Sequence, residues 1–215
     1  VWRARISFFD HDVPCEPKWG NWFESHIAFQ KHYAQIAQRT GCELFLTGCE
    51  MTMTEHRETE WRKLIAEVRT VYDGPVGYNC DKYGEDHITW WEAVDVIASS
   101  GYYPIDDWEN QLDRIEEVVK KYQKPFLFSE AGCMNIHGSA QVPNNWELRG
   151  EEDDAEQADW YLAMFSACEK RDWVKGFGIW DWPGSMERKS PYAVCDRPAE
   201  AVIAEEYSCR GKNRR

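Results

Sequence analysis

The chain has 215 residues, enough to bury a good core, and reads most simply as one domain over residues 1–215. Its net charge of −13 repels nucleic acid and anionic membrane surfaces, and no run reaches the roughly 20 apolar residues of a membrane span. Twelve Trp and ten Tyr are many for this length; aromatic faces are what sugar rings stack on, although Trp also simply fills cores.

The first residue is Val1, with neither an initiator Met nor the apolar stretch of a signal peptide, so a processed or partial product is expected. Val1 to Phe9 alternates apolar positions (Trp2, Ala4, Ile6, Phe8) as an extended segment would. Asp10-His11-Asp12 comes next. Adjacent residues of an extended chain point to opposite sides, so this trio reads as a solvated loop and no metal is assigned to it. A helix is expected from about Asn21 to Arg39, with Trp22, Phe23, Ala28 or Phe29, Tyr33, Ile36 and Ala37 on a broad apolar stripe and Gly41 to end it.

Leu44-Phe-Leu-Thr-Gly-Cys-Glu50 is a short apolar run that ends on an acid. Flanked by polar helices, it reads as a buried strand of a parallel sheet, with Glu50 at the sheet's carboxyl edge. A helix from about Glu55 to Val71 carries Trp61, Leu64, Ile65 and Val68 at helical spacing; Asp73-Gly-Pro75 turns the chain into a short strand, Val76 to Asn79. After an amphipathic piece around Ile88 to Ala93, Val94 to Ser99 is another apolar strand, ending in Gly101-Tyr-Tyr-Pro104. The helix from about Asp107 to Tyr122 precedes Pro125-Phe-Leu-Phe-Ser-Glu130, a second buried-type strand that delivers an acid.

The polar stretch from about Gly132 to Asp154 is a long loop past a strand's carboxyl end, where loops are usually functional, and it is expected to overhang the cleft. Ala155 to Lys170 is a helix, Gly176 to Trp180 a strand, and Arg197-Pro-Ala opens a last helix whose basic end, Lys212 to Arg215, is expected to fray. Strand and helix thus alternate, with five strands near residues 44, 76, 95, 126 and 176, which implies a parallel sheet with right-handed crossovers. Glu50, Asn79, Tyr102, Glu130 and Trp180 all fall at or just beyond a strand's carboxyl end, the face where such folds build their chemistry.

The eight cysteines have no zinc-type pairing; buried free thiols and one or two bridges both fit them. Cys49 beside Glu50 invites a thiol nucleophile, but no His is placed in sequence to support one. Asn79, Tyr83, His137, Trp146 and Trp182 are candidate sugar contacts, amide and aromatic groups in loops that would otherwise serve packing. Asp181 reads as a structural hydrogen-bond acceptor rather than a further acid.

Gly48-Cys-Glu50, Tyr102-Tyr-Pro, Phe128-Ser-Glu130 and Ile179-Trp180, each after its own strand, resemble the clan A retaining glycoside hydrolases. With Glu58-Thr-Glu-Trp61 and the Arg69 to Pro75 turn, the sequence most resembles glycoside hydrolase family 113, whose known members are β-mannanases. The resemblance runs from Trp2 to about Tyr207. It implies a partial TIM-type (β/α) barrel of about five parallel strands, equivalent to strands 4 to 8 of the family barrel, lacking the first three. It implies Glu50 as general acid/base and Glu130 as nucleophile, with Tyr102 bonding the nucleophile and Trp180 flooring the sugar whose bond is cut.

Such chemistry needs two carboxyls in unlike environments, with Glu50's hold on its proton raised by burial or by the neighbouring carboxylate. In much of the clan the residue before the acid/base is an Asn that binds the sugar 2-hydroxyl. Here it is Cys49, a poor hydrogen-bond partner.

The implied reaction is hydrolysis of a β-1,4-linked polysaccharide or oligosaccharide, mannan first and glucan second, needing no metal or organic cofactor. An endoglucanase-like β-glycosidase and a truncated carbohydrate-binding remnant are the alternatives. Secretion would suit a polysaccharide substrate, but the sequence leaves localisation open. Five strands cannot close an eight-stranded barrel, so pairing with a second copy is expected, a partner supplying the missing strands or an adapted open sheet being the other solutions.

Overall fold

The structure, a computed structural model, describes residues 2–3, 19–182 and 190–213. The Asp10-His11-Asp12 trio, Cys15, Pro183, residues 214–215 and all of the expected extended segment except Trp2 and Arg3 lie outside the described residues.

In chain order the elements are β1 (Trp2–Arg3), α1 (Trp19–Thr40), β2 (Phe45–Cys49), α2 (Glu58–Val68), β3 (Val76–Cys80), β4 (Val96–Gly101), α3 (Trp108–Tyr122), β5 (Phe126–Ala131), α4 (Asp154–Glu169), β6 (Val174–Ile179) and α5 (Pro198–Asn213). Short 3-10 turns at Thr52–Thr54, Trp91–Ala93 and Ser139–Gln141 fill three of the connections. The strands form one sheet in the order β1-β2-β3-β4-β5-β6. The five expected strands are all present, and the two-residue β1 adds a sixth, parallel to β2 through Trp2 opposite Phe45.

By its contacts the chain divides into two compact units, residues 1–100 with 117–127, and residues 101–116 with 128–215. In the first unit β2, β3 and β4 run parallel, and every residue of β2 and β3 is buried. That is what a sheet covered on both faces demands of its strands, and it is why they read as unbroken apolar runs. Leu46 pairs with Gly77 but Cys49 with Asn79, so β2 carries one residue more than β3 over this stretch. A bulge of that kind bends a strand and re-aims the residue beyond its end, here Glu50.

Helix α1 ends where Gly41 takes φ +68°, a conformation that costs glycine nothing. It opens at Trp19, two residues before the expected start. Helix α2 buries Trp61, Leu64, Ile65 and Val68. Trp61 stacks on Trp90 with centroids 5.0 Å apart and meets Tyr78 at 4.9 Å, making an aromatic centre behind the end of β2. Aromatic pairs of this kind contribute about 0.5 to 1.5 kcal/mol each beyond the area they bury.

The second unit is built around Phe128 of β5, which meets Tyr103, Trp108 and Phe177 edge-on or stacked. Trp160 of α4 packs on Trp108 and donates its indole N–H to the Tyr103 carbonyl at 2.8 Å, so a buried donor is satisfied. Helix α4 starts at an Asp153 cap, which accepts the Glu156 N–H. Helix α5 holds to Asn213, further than the fraying expected from Lys212.

The loop between β5 and α4 is more ordered than its polar sequence suggests. Ile136 bridges Glu152, His137 N–H bonds the Glu151 carbonyl, and Asp153 N–H bonds the Asn135 carbonyl, so the two arms of the loop are tied together. Cys133, Met134, Ile136, Ser139 and Ala140 are buried. Apart from Cys15, every cysteine is a free thiol: Cys49, Cys80, Cys133, Cys168 and Cys195 are buried, Cys42 is half-buried and Cys209 is exposed. Among the described residues no helix is long and apolar enough to cross a membrane.

Candidate active site

In the first unit Glu50 stands directly after β2 and is 4 % exposed. Its φ of +52° is left-handed, which a side chain with a Cβ adopts at a cost, and two hydrogen bonds hold the turn against that cost. The Glu50 N–H donates to the Asn79 carbonyl at 2.8 Å, and the Met51 N–H donates to the Tyr78 hydroxyl at 3.0 Å. Ser100, near the end of β4, donates its hydroxyl to Glu50 Oε1 at 2.5 Å.

Asn79 is fully buried and donates Nδ2 to Ser100 Oγ at 2.9 Å and to Cys49 Sγ at 3.3 Å. An amide N–H can only donate, so the hydroxyl hydrogen of Ser100 is left for Glu50. The direction of the chain is therefore fixed: Asn79 to Ser100 to Glu50. Asn79, a candidate sugar contact, has no exposed surface, and its amide is turned to Ser100 and Cys49. Cys49 is likewise fully buried, with its sulfur accepting from Asn79.

In the second unit Glu130 is the next-to-last residue of β5 and is 3 % exposed. The Tyr102 hydroxyl donates to Glu130 Oε1 at 2.7 Å. Tyr103, its neighbour, goes the other way into the packing on Trp108. Trp180 comes directly after β6, where its N–H bonds the Ala131 carbonyl at 2.8 Å and its own carbonyl accepts from Tyr161 at 3.2 Å. Its half-buried side chain packs against the Tyr102, Met134, Ile136 and Tyr192 cluster, together with Leu148. The long loop thus supplies part of the wall beside Tyr102 and Trp180.

Tyr83, Trp146 and Trp182 are exposed, with Trp146 and Trp182 at 67 % and 59 %, so their rings are open to a ligand from solvent. His137 is exposed at its side chain and lies 3.2 Å from Asp153 and 3.3 Å from Glu156. The hydrogen bond to Asp153 and the charge of Glu156 raise its pKa. The ligand atoms of these three could gather round one cation. Both acids already have structural work, since Asp153 caps α4 and Glu156 accepts the Gly138 and Ala140 N–H groups. Asp181 accepts from the Ser190 hydroxyl at 2.9 Å, the structural part expected of it.

Reading the sequence overlooked Ser100, Tyr192, Tyr78 and Glu55. The signal for Ser100 was present: a pair of hydroxyls, Ser99-Ser100, closes an otherwise apolar strand at the level where other strands end in Glu50 and Glu130. Tyr192 meets Tyr102 edge-on at 6.3 Å and bonds the Pro143 carbonyl, a placement no local pattern announces.

Residues 1–197 match the family model of Glycoside Hydrolase Family 113. Among solved structures, a complex of a family 113 β-1,4-mannanase is 54% identical, with a TM-score of 0.86, over 94% of this chain and 68% of that one. The family 113 β-mannanase AaManA from Alicyclobacillus acidocaldarius, in complex with ManMIm, is 42% identical with a TM-score of 0.84, over 89% of this chain and 63% of that one. A β-D-glucuronidase from Dictyoglomus thermophilum, 20% identical with a TM-score of 0.67 over 87% of this chain and 36% of that one, shares the fold alone. No curated protein matches the chain. The chain spans about two thirds of the length of the mannanases it resembles. Its alternating strands and helices are those of a partial (β/α)-barrel glycosidase. The match over residues 1–197, and identities of 42–54% to solved members, place it: the chain belongs to glycoside hydrolase family 113.

Proposed function

We propose that the chain hydrolyses β-1,4-mannan or its oligosaccharides with retention of configuration, Glu50 serving as acid/base and Glu130 as nucleophile. The observation that carries this reading is that each acid is buried just where its strand ends and is held there by a hydroxyl donor of its own, Ser100 for Glu50 and Tyr102 for Glu130. Buried carboxyls oriented in this way are unusual unless they serve a site. The two similar mannanases support mannan as the substrate.

In the first step a Glu130 carboxylate oxygen bonds to the anomeric carbon, the glycosidic C–O bond breaks, and the Glu50 proton passes to the departing oxygen. In the second, Glu50 takes a proton from water, the water oxygen bonds to the anomeric carbon, and Glu130 leaves as carboxylate. Retention requires the two carboxyls to lie about 5 to 5.5 Å apart. Trp180 offers an aromatic face to the sugar whose bond is cut, and the exposed Trp146, Trp182, Tyr83 and His137 offer contacts further out. Self-association would let a second copy cover strands that a partial barrel does not close upon itself.

The test is Glu50→Ala and Glu130→Ala, assayed with an activated β-mannoside in the presence of azide. Glu50→Ala should give the β-glycosyl azide, because azide attacks the glycosyl-enzyme. Glu130→Ala should give the α-glycosyl azide by direct displacement. The same anomer from both variants, or full activity in either, defeats the assignment. If the unaltered chain binds β-mannan without cleaving it, it is a carbohydrate-binding form of the family and not a hydrolase. Sedimentation of a monomer at micromolar concentration would rule out the self-association.

A further inference from the structure

Tyr78 of β3 is fully buried against the stacked Trp61 and Trp90, each 4.9 Å from it by ring centroids. Its one hydroxyl does two things. The oxygen accepts the Met51 N–H at 3.0 Å, and the hydrogen goes to Glu55 Oε1 at 2.7 Å. A peptide N–H can only donate, so the order Met51, Tyr78, Glu55 runs one way and ends on a carboxyl.

Met51 is the residue after Glu50, and its N–H is one of the two bonds that hold the left-handed turn. A second contact ties Glu55 in place, since its backbone carbonyl accepts the Trp90 indole N–H at 2.9 Å. The four residues between Glu50 and Glu55 include the 3-10 turn Thr52–Thr54, whose Thr54 hydroxyl bonds back to the Met51 carbonyl at 2.8 Å. Glu50 and Glu55 therefore sit at opposite ends of one short, braced segment.

We propose that Glu55 is a positioning residue for Glu50, fixing the turn that aims it through the Tyr78 hydroxyl and holding a second carboxyl at the other end of the same braced segment. The proposal rests on Glu50 being the acid/base. The groups that face Glu55 are the Tyr78 hydroxyl and, by their charge, Asp81, Glu85 and Glu50, and Glu55 in turn acts on the Cys80 thiol. Lys82 is drawn off to Asp81 at 3.3 Å. Burial pushes the Glu55 carboxyl up to about 7, the Tyr78 bond opposes that, and Asp81, Glu85 and Glu50 add to it.

Repulsion between two carboxyls is reciprocal: if ionised Glu50 hinders the ionisation of Glu55, ionised Glu55 hinders that of Glu50. Glu55 gains its charge around neutrality, where a general acid would otherwise begin to lose its proton. Its effect is to carry the protonated form of Glu50 to higher pH.

The experiment compares Glu55→Gln with the unaltered chain. Gln keeps an acceptor for Tyr78 and removes only the charge. The alkaline limb of kcat/KM on a mannan oligosaccharide should move to lower pH by about 0.3 to 1 unit, with the acidic limb left in place. Tyr78→Phe, which removes the hydroxyl between Met51 and Glu55, should lower kcat by tenfold or more while KM changes less. A merely structural Glu55 would lower kcat equally at every pH and leave the limb where it was, and that result overturns the proposal.

A chain without turnover would defeat the hydrolase reading, not this one, because the coupling can be read without catalysis. Carboxyl-carbon NMR of Glu50 should show its titration midpoint falling in Glu55→Gln, and an unmoved midpoint refutes the coupling.

Discussion

Ser100→Ala removes a hydroxyl that donates to Glu50, and the sign of its effect is set by the direction of the bond. Asn79 donates to Ser100, Ser100 donates to Glu50 Oε1 at 2.5 Å, and Ser100 and Glu50 are both buried. A donor aimed at a carboxylate favours the ionised form, so without it Glu50 should hold its proton to higher pH. A hydrogen bond to a charged group is worth about 1.5 to 3 kcal/mol. At 1.36 kcal/mol per pH unit that is about one to two units. Part of the bond survives when Glu50 is protonated, and a water can enter the space of the lost hydroxyl, so about one unit is expected. Initial rates of reducing-sugar release from a mannan oligosaccharide, measured from pH 4 to 10, should show the alkaline limb of kcat/KM rising by about one unit. The acid/base limb then moves in opposite directions in Ser100→Ala and Glu55→Gln. An unmoved limb in Ser100→Ala, or one displaced to lower pH, would refute the reasoning.

Tyr102→Phe deletes the phenol that holds Glu130 Oε1 at 2.7 Å; at about 1.5 to 3 kcal/mol for the bond, kcat should fall about 10- to 100-fold, and a loss under threefold in steady-state rates would show that the contact is incidental. Gly178→Ala should destabilise the fold by about 1 to 3 kcal/mol in urea unfolding, because a Cβ there would stand 2.4 Å from the Ser129 carbonyl oxygen of the neighbouring strand. Glu55→Gln should also alter stability with pH. With its carboxyl raised from 4.5 to about 7, Glu55 is neutral in both the folded and the unfolded chain below about 4.5, and stability is lost as pH rises from there through 7. The variant escapes that loss, so its melting temperature relative to the unaltered chain should climb between pH 5 and 8 by an amount worth about 1 to 3 kcal/mol; a constant difference would mean that Glu55 does not titrate there.

The strands were legible because a doubly covered parallel sheet forces unbroken apolar runs, and Leu44 to Cys49 and Phe126 to Phe128 are such runs. The two acids were legible for the same reason, as charges at the end of runs that otherwise exclude charge. The groups that hold those acids were not. Ser100 reaches Glu50 across fifty residues, and Tyr78 joins Met51 to Glu55 from a different strand, so neither contact has a local period or spacing. Asn79 was noticed for its strand-end position, but sequence could not show that its amide turns to Ser100 and Cys49. The loop from Gly132 to Asp154 was expected to overhang the cleft, and its polar residues gave no sign of the backbone ties between Ile136 and Glu152 and between Asn135 and Asp153.

The two acids are held by the same device with different reach, and the difference bears on which chemical step each hydroxyl can affect. In the first unit the register sets Cys49 opposite Asn79, Asn79 opposite Ala98 and Cys80 opposite Ser99, so the short side chain of Ser100 needs the strands themselves to carry it to Glu50. In the second unit Tyr102 lies beyond its strand, and a phenol ring supplies the reach that a serine lacks. A serine fixed by Asn79 behind it has one hydrogen to place, which suits the acid/base role proposed for Glu50. A tyrosine packed edge-on against Tyr192 presents a steady hydroxyl, which suits the nucleophile role proposed for Glu130. Loss of Ser100 should therefore be felt in the pH dependence of proton transfer, and loss of Tyr102 in the formation and release of the glycosyl-enzyme. Burst kinetics with a substrate bearing a good leaving group, which needs little protonation, separate the two: the burst rate should fall in Tyr102→Phe and hold in Ser100→Ala.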